Sequence, residues 1–356
     1  MWANPKYDSF TTYRLSGLPQ MPQPLLDVKD LYVQIEVFEG LAKIVDGLSI
    51  SVNKGETVSL VGETGCGKSL ASKAILRLIP SPPGRINGKI LFAGTDLLEM
   101  REDEFSLVRG KRISMIPQHP HTSLNPVLTV GRQLADMILY QGRVNIEWRK
   151  YARDSTNRHL RRKVRELSTK MLEELRVPSP ELVIDRYPHE LSGGMKQRVL
   201  IAMALAGNPE LLIADEPGTA LDVTVQDKIT RLLKERIEKY TLSVLYITHN
   251  LGVAKMLSQR IYVMYAGRIV ESASVETIFK KQLHPYTVGL LASLPKFTGG
   301  IGTGISGSVP DYLNPPTGCR FHPRCDQKIP VCIDSVPEAM QVEKDHWVAC
   351  HLYNRR

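Results

Sequence analysis

Apolar positions follow two rhythms along this chain, short strand-like runs and helical spacing, and the two alternate through most of its length. From Leu26 to Ser51 apolar and polar residues alternate through Leu26-Val28, Leu31 to Val37 and Ile44 to Ile50, with a bend at Phe38-Glu39-Gly40. That pattern predicts strands joined by turns. Thr57 to Val61 predicts another strand, Lys89 to Asp96 a strand and turn, and Arg112 to Gln118 a strand ending at a polar residue. Leu211 to Asp215 and Ser243 to Thr248 are near-continuous apolar runs, as parallel strands buried on both faces read. Gln259 to Ala266 and Gly267 to Ser272 predict a hairpin. Helical spacing falls at Leu70 to Leu76, Val130 to Tyr140, Tyr151 to Leu175, Gly194 to Ala206 and Val225 to Lys239. Pro80-Ser81-Pro82-Pro83-Gly84 stops the first of these.

The expected class is therefore α/β, with an antiparallel β layer ahead of a parallel-sheet lobe and an inserted helical lobe at about 119–206. Residues 1–25 hold four prolines and no clear period, and read as a loosely ordered tail. Residues 299–307 are Gly/Ser-rich, a flexible loop or hinge. Residues 309–356 have little period.

At 356 residues the chain is long enough for two or three domains and a large core. No apolar run approaches the ~20 residues that span a bilayer. The first twenty residues lack the apolar core of a secretory signal, so a cytosolic location is expected. Work at a membrane would need another chain to supply the spans. The net charge of +9 suits nucleic acid, an anionic membrane surface or a nucleotide phosphate. Residues 143–170 concentrate ten Lys/Arg against Glu147, Asp154 and Glu166. This stretch reads as a solvated helix face, or as a contact with lipid headgroups or a partner.

Gly62-Glu63-Thr64-Gly65-Cys66-Gly67-Lys68-Ser69 lies between an expected strand and an expected helix, the context that the phosphate loop G-x-x-x-x-G-K-[ST] requires. Its glycines let successive N–H groups turn toward phosphate oxygens, and the helix start adds further donors. Lys68 can reach the β/γ-phosphates, and the Ser69 hydroxyl can hold Mg²⁺. The candidate nucleotide contacts are Gly62, Glu63, Thr64, Gly65, Cys66, Gly67, Lys68, Ser69 and Leu70. An aromatic from the β layer, Phe38 or alternatively Tyr32, is available for the adenine ring. The strand Leu211 to Asp215 ends in two acids. Asp215 can hold the Mg²⁺ water shell. Glu216 can orient and polarise an attacking water as general base. Ser192, Gly193 and Gly194 open a helix and offer a second anion cradle.

Leu191-Ser192-Gly193-Gly194-Met195-Lys196-Gln197-Arg198, together with the phosphate loop, resembles the ATP-binding-cassette (ABC) family. The resemblance implies a P-loop NTPase core, a RecA-like lobe with an antiparallel β layer, in a nucleotide-binding domain over 26–285. It implies ATP held between two subunits, hydrolysis that needs this dimer, and a nearly inactive lone chain. It assigns Gln118 to contacts with Mg²⁺ and the attacking water, His249 to the neighbourhood of the γ-phosphate, and Ala220-Leu221-Asp222 to the dimer interface. Two positions depart from the family pattern: Gly218 where Thr or Ser is common, and Asn250 where Asp is usual. The interval from Gln118 to Ser192 suits a compact helical lobe and excludes the long coiled-coil relatives. A single phosphate loop argues against the tandem translation factors.

Gln118 to Pro126, with its Thr122-Ser123-Leu124-Asn125-Pro126 end, and Leu283-His284-Pro285-Tyr286-Thr287 resemble the oligopeptide/dipeptide importer ATPases. That group moves peptides, with members carrying oligosaccharides or nickel. It implies two membrane permeases, an extracytoplasmic solute-binding protein, a second and non-identical ATPase, and a peripheral position on the cytoplasmic face of the membrane. No nucleic acid is expected. The rival reading is a soluble ABC ATPase that senses redox or iron state and binds nucleic acid through its basic lobe.

Four of the five cysteines, Cys319, Cys325, Cys332 and Cys350, are spaced C-x5-C-x6-C-x17-C. Four thiols in a reducing compartment favour a metal site over disulfides. The C-x2-4-C pairs common in structural zinc sites are absent. Cys₄ ligation also fits [4Fe–4S], which the importer resemblance implies here. Zinc, reduced thiols and disulfides remain alternatives. Residues 286–356 are thus expected to form a small C-terminal metal-binding domain, with Arg320 and Arg324 offsetting cluster charge.

Overall fold

The computed structural model describes residues 23–141, 158–219, 222–294 and 304–353. Most of the expected tail, residues 142–157 of the basic stretch, Ala220, Leu221 and residues 295–303 lie outside these.

Two sheets organise the described residues. The first is antiparallel, in the order β2-β1-β4-β5, from β1 (Leu26–Val37), β2 (Gly40–Val52), β4 (Gly84–Phe92) and β5 (Thr95–Asp96). The second has eight strands in the order β11-β12-β10-β9-β3-β8-β7-β6. Its parallel part joins β6 (Ile113–Ile116), β7 (Leu211–Asp215), β8 (Ser243–Thr248), β3 (Thr57–Val61) and β9 (Arg260–Tyr265). β10 (Arg268–Ser274) then turns back as a hairpin with β9.

The two faces of this sheet go to different cores, which is why its strands read as unbroken apolar runs. Leu212 and Ala214 of β7, with Val244 and Tyr246 of β8, pack into the core of the helical lobe. The alternate residues Leu211, Ile213, Leu245 and Ile247 pack with the antiparallel layer and α1 (Lys68–Ile75). Side chains one residue apart on a strand point to opposite faces, so both sets must be apolar.

The helical lobe contains α4 (Val130–Tyr140), α5 (Arg158–Glu174) and α7 (Gly193–Leu205). α8 (Val223–Tyr240) links β7 to β8, and α9 (Leu251–Leu257) follows β8. In α5, Leu160, Val164, Met171 and Leu172 are buried, while Arg162 and Arg165 face outward and pair with Glu166 and Asp185. The described part of the basic stretch is thus an exposed helix face. α2 (Glu102–Phe105), α3 (Pro120–Ser123) and α6 (Pro180–Val183) are single turns, too short to carry a hydrophobic period.

The C-terminal residues differ from expectation. They do not stand apart as a small domain. β12 (His346–Val348) pairs with β10, and β11 (Met340–Glu343) pairs with β12, so they extend the main sheet. Before them come α10 (Val275–Lys280), α11 (Pro285–Ala292) and α12 (Val331–Asp334). Tyr286 and Phe321 share one apolar cluster with Val61 of β3 and Val263 and Tyr265 of β9. The attachment is also polar. The fully buried Glu271 accepts from the backbone N–H groups of Leu283 and His284, both at 2.9 Å, and lies 2.8 Å from His346 Nε2. Among the described residues no helix is long and apolar enough to cross a membrane.

Candidate functional site

The parallel strands bring the candidate residues to their C-terminal ends, where ligand crevices form in such sheets. The phosphate loop leaves β3 and enters α1 through Gly67, whose φ of 103° lies in the left-handed region that favours glycine. Gly62 is constrained differently: a Cβ there would stand 2.2 Å from the Met264 carbonyl oxygen. The Lys68 ammonium, 4% exposed, donates to the carbonyls of Gly62 and Glu63 at 2.8 Å each. Cys66 is fully buried, and burial pushes its thiol above the ordinary value. It is a packing residue of the loop.

Ser69 Oγ donates to Asp215 Oδ1 at 2.9 Å, across from α1 to the end of β7. Burial raises the Asp215 carboxyl, a condition that a bound cation would reverse. Ser69, Asp215 and the nearby Gln118 offer oxygen donors, the set that suits Mg²⁺.

Glu216 is where the expected site residues converge. Its φ of 45° is left-handed, a strained conformation for a residue with a Cβ. Its N–H donates to the Ile247 carbonyl at 3.0 Å, tying it to β8. Its Oε2 accepts from Gln118 Nε2 at 3.3 Å and from Thr219 Oγ1 at 2.9 Å, and lies 3.1 Å from His249 Nδ1. Its Oε1 lies 3.9 Å from the Lys68 ammonium. Burial works to raise this carboxyl, but the hydrogen bonds from His249 and Thr219 and the charges of His249 and Lys68 outweigh it, so it sits below the ordinary value. The same hydrogen bond to Glu216 raises His249. A carboxylate held ionised beside a lysine can accept a proton from water.

The two departures from the family pattern are accommodated. Gly218 leaves room for Gln226, since a Cβ would stand 2.7 Å from that side chain, and the hydroxyl near Glu216 comes from Thr219 instead. Asn250 caps α9 by accepting from the N–H groups of Gly252 and Val253, as an aspartate would. Thr219 carries no motif of its own in the sequence.

Two expectations are not joined to this cluster. Ser192 is exposed and caps α7, accepting from Met195 N–H at 3.3 Å. No hydrogen bond among the described residues links Ser192, Gly193 or Gly194 to the phosphate loop. A Cβ on Gly194 would stand 2.9 Å from Val225, so its smallness serves helix packing here. Phe38 is fully exposed at the turn between β1 and β2, and Tyr32 is 39% exposed. Ala220 and Leu221 lie outside the described residues.

The four C-terminal cysteines lie within electrostatic reach of one another. Burial raises the thiols of Cys319 and Cys325 and pushes Cys350 up to about 11, with further upward contributions from neighbouring cysteines. All are free of disulfides. Among the described residues, however, no group of three or more His, Cys, Asp or Glu is arranged to hold a metal ion. The donor chemistry of four thiols fits iron or zinc, but they do not form a ligand group for a single metal ion. The expected role of the arginines is also different. Arg320 pairs with Asp46 at 2.8 Å, and Arg324 pairs with Glu63 of the phosphate loop at 2.8 Å.

A phosphate loop after β3 and a braced carboxylate after β7, with β8 between them in one parallel sheet, define an ATP-binding-cassette ATPase. Comparison with known proteins agrees. Residues 45–219 match the family model described as "ABC transporter", and residues 270–332 match "Oligopeptide/dipeptide transporter, C-terminal region". The chain is 43% identical over 332 residues to the oligopeptide transport ATP-binding protein OppD of Bacillus subtilis (strain 168), covering 92% of this chain and 88% of that protein. It is 41% identical over 338 residues to the dipeptide transport ATP-binding protein DppD of the same organism, covering 94% and 96%. A solved relative is the dimeric post-hydrolysis state of the ATP-binding cassette MJ0796 bound to ADP and Pi. It matches with a TM-score of 0.58 and 26% identity, over 70% of this chain and 98% of that one. The chain belongs to the ATP-binding subunits of the oligopeptide/dipeptide ABC transporters. ABC ATPases hydrolyse ATP.

Proposed function

We propose that this chain hydrolyses ATP to drive peptide uptake through a membrane importer. The observation that carries the reading is the convergence of Gln118, Thr219 and His249 on one oxygen of Glu216, beside Lys68. Glu216 takes the proton of the attacking water as its oxygen bonds to the γ-phosphorus and the bond to the bridging oxygen breaks. Lys68 stabilises phosphoryl charge, and His249 and Gln118 hold the carboxylate and water in register. Ser69, Asp215 and Gln118 would hold Mg²⁺, which supplies charge neutralisation when bound. Phe38 is the candidate for the adenine ring.

Ser192, Gly193 and Gly194 await the nucleotide of a second ABC subunit, proposed to be non-identical. The exposure of Ser192, and the lack of any hydrogen bond among the described residues from this stretch to the chain's own phosphate loop, support that role. The transporter relatives support two permeases, an extracytoplasmic solute-binding protein and a peripheral position on the cytoplasmic face of the membrane. Peptides are favoured over oligosaccharides or nickel because the OppD and DppD relatives bear peptide-transport names. A [4Fe–4S] cluster, or zinc, on Cys319, Cys325, Cys332 and Cys350 belongs to this proposal, and no step of hydrolysis passes through it. Visible absorption that is present in the purified chain and lost in Cys325→Ser would support the cluster. A colourless, metal-free and fully folded wild type would refute it.

Glu216→Gln tests the catalytic reading. ATP binding should persist while turnover in the assembled complex falls about 100-fold or more, as expected on losing a general base. Unchanged turnover would remove Glu216 from its role.

A further inference from the structure

The C-terminal segment reaches the phosphate loop from outside the nucleotide crevice and bonds to it at three points. Arg324 grips the Glu63 carboxylate as a fork, with Nη1 at 2.8 Å and Nη2 at 3.2 Å. Its remaining donors go to Ser306 O, Ile305 O and Tyr265 Oη. The arginine side chain is 6% exposed and the glutamate 26%. Tyr286, fully buried, accepts from Glu63 N–H at 2.9 Å. Tyr312 donates its hydroxyl to the Gly65 carbonyl at 2.7 Å, and its own carbonyl accepts from Lys43 N–H at 2.8 Å.

These contacts are themselves supported. His284 caps α11, accepting from Tyr286 N–H at 3.0 Å, and Glu271 holds His284 in turn. Tyr265, Tyr286 and Phe321 form an aromatic cluster with centroids 4.7 to 5.4 Å apart. A bidentate arginine fork fixes orientation as well as distance. The three bonds engage the outer side of the loop at Glu63 and Gly65. Among the described residues the N–H groups of Thr64, Gly65 and Gly67 have no protein acceptor. A loop held in its binding shape before ligand arrives avoids the ordering cost on binding.

We propose that Arg324, Tyr312 and Tyr286 are positioning residues for the phosphate loop, so that the C-terminal segment sets the affinity of this subunit for nucleotide. The inference rests on the ATPase reading above. It accounts for the His-Pro-Tyr-Thr stretch by its geometry: the histidine caps a helix whose tyrosine meets the phosphate loop.

The test is titration of the full chain with MgATP, comparing wild type with Tyr312→Phe, Glu63→Gln, Arg324→Gln and the Glu63→Gln/Arg324→Gln double variant. Melting temperature is measured in parallel. Tyr312→Phe removes one hydroxyl and keeps the ring, so the fold survives. We expect MgATP affinity to fall about threefold in Tyr312→Phe and about tenfold in Arg324→Gln, the scale of one neutral and one charged hydrogen bond. The double variant should bind no worse than Arg324→Gln alone, because both changes break one contact. In the assembled complex, KM for ATP should rise in Tyr312→Phe and Arg324→Gln while kcat at saturating ATP is retained. Affinities within twofold of wild type in both Tyr312→Phe and Arg324→Gln would overturn the proposal, even with a lowered melting temperature. Fully additive losses in the double variant would overturn it too. A wild-type chain that binds no MgATP would instead remove the ATPase reading beneath it.

Discussion

Glu216 shows how much one side chain is asked to do here. Its carboxylate is 5% exposed, its backbone is strained, and its Oε2 has three side-chain partners. The Glu216 pKa is lowered, so its link to folding is present above the ordinary value of 4.5 and is lost as pH falls through the folded value. His249 is raised, so its link is present below 6.5 and is lost as pH rises through its folded value. The pair is therefore strongest between the two. The melting-temperature gap between wild type and His249→Ala should peak near pH 5 to 6 and narrow on both sides. In the same variant the acid limb of turnover should move to higher pH, because Glu216 loses the hydrogen bond that most lowers it. A gap flat across pH would contradict this. Glu216, Gln118, His249, Lys68, Ser69 and Asp215 were all legible in the sequence, because each sits in a motif or at a strand end. Thr219 was not. A threonine next to Gly218 carries no pattern, and its contact depends on the turn that follows Glu216.

At the scale of elements, continuous apolar runs announced the parallel strands because both sheet faces are covered. Leu212 is fully buried on the helical-lobe face of β7. Leu212→Ala should cost about 2–5 kcal/mol in denaturant unfolding, the range for a buried leucine that leaves a cavity. A loss below about 1 kcal/mol would mean that the two-faced packing is misread. α4 spans Val130–Tyr140, as its spacing predicts, since a full three turns of period were available. α2, α3 and α6 were missed because a single turn has none. Their existence depends on tertiary contacts, such as Phe105 of α2 buried in the core beneath α1.

At the scale of the whole molecule, the C-terminal segment was the least legible part. Glu63 and Arg324 are 261 residues apart, and Glu271 and His346 are 75 apart. No local rhythm encodes such pairs. Cysteine spacing suggested a separate body, whereas the chain returns to the edge of the main sheet. Glu271→Ala should loosen that return. It strips the acceptor from the Leu283, His284 and His346 donors, each buried loss costing about 1–3 kcal/mol. Limited proteolysis should then release the segment after Ser274, and an intact, protected C-terminus would contradict the assignment.

On the proposed function, this subunit works on a membrane importer. Affinity purification of the full chain from detergent-solubilised membranes of its source, with identification of every bound protein, tests it most directly. The expected recovery is a pair of membrane-spanning permeases and a second ABC ATPase, with ATP turnover of the assembly stimulated by peptide and its binding protein. Recovery of soluble partners or nucleic acid alone, with no permease, would contradict it.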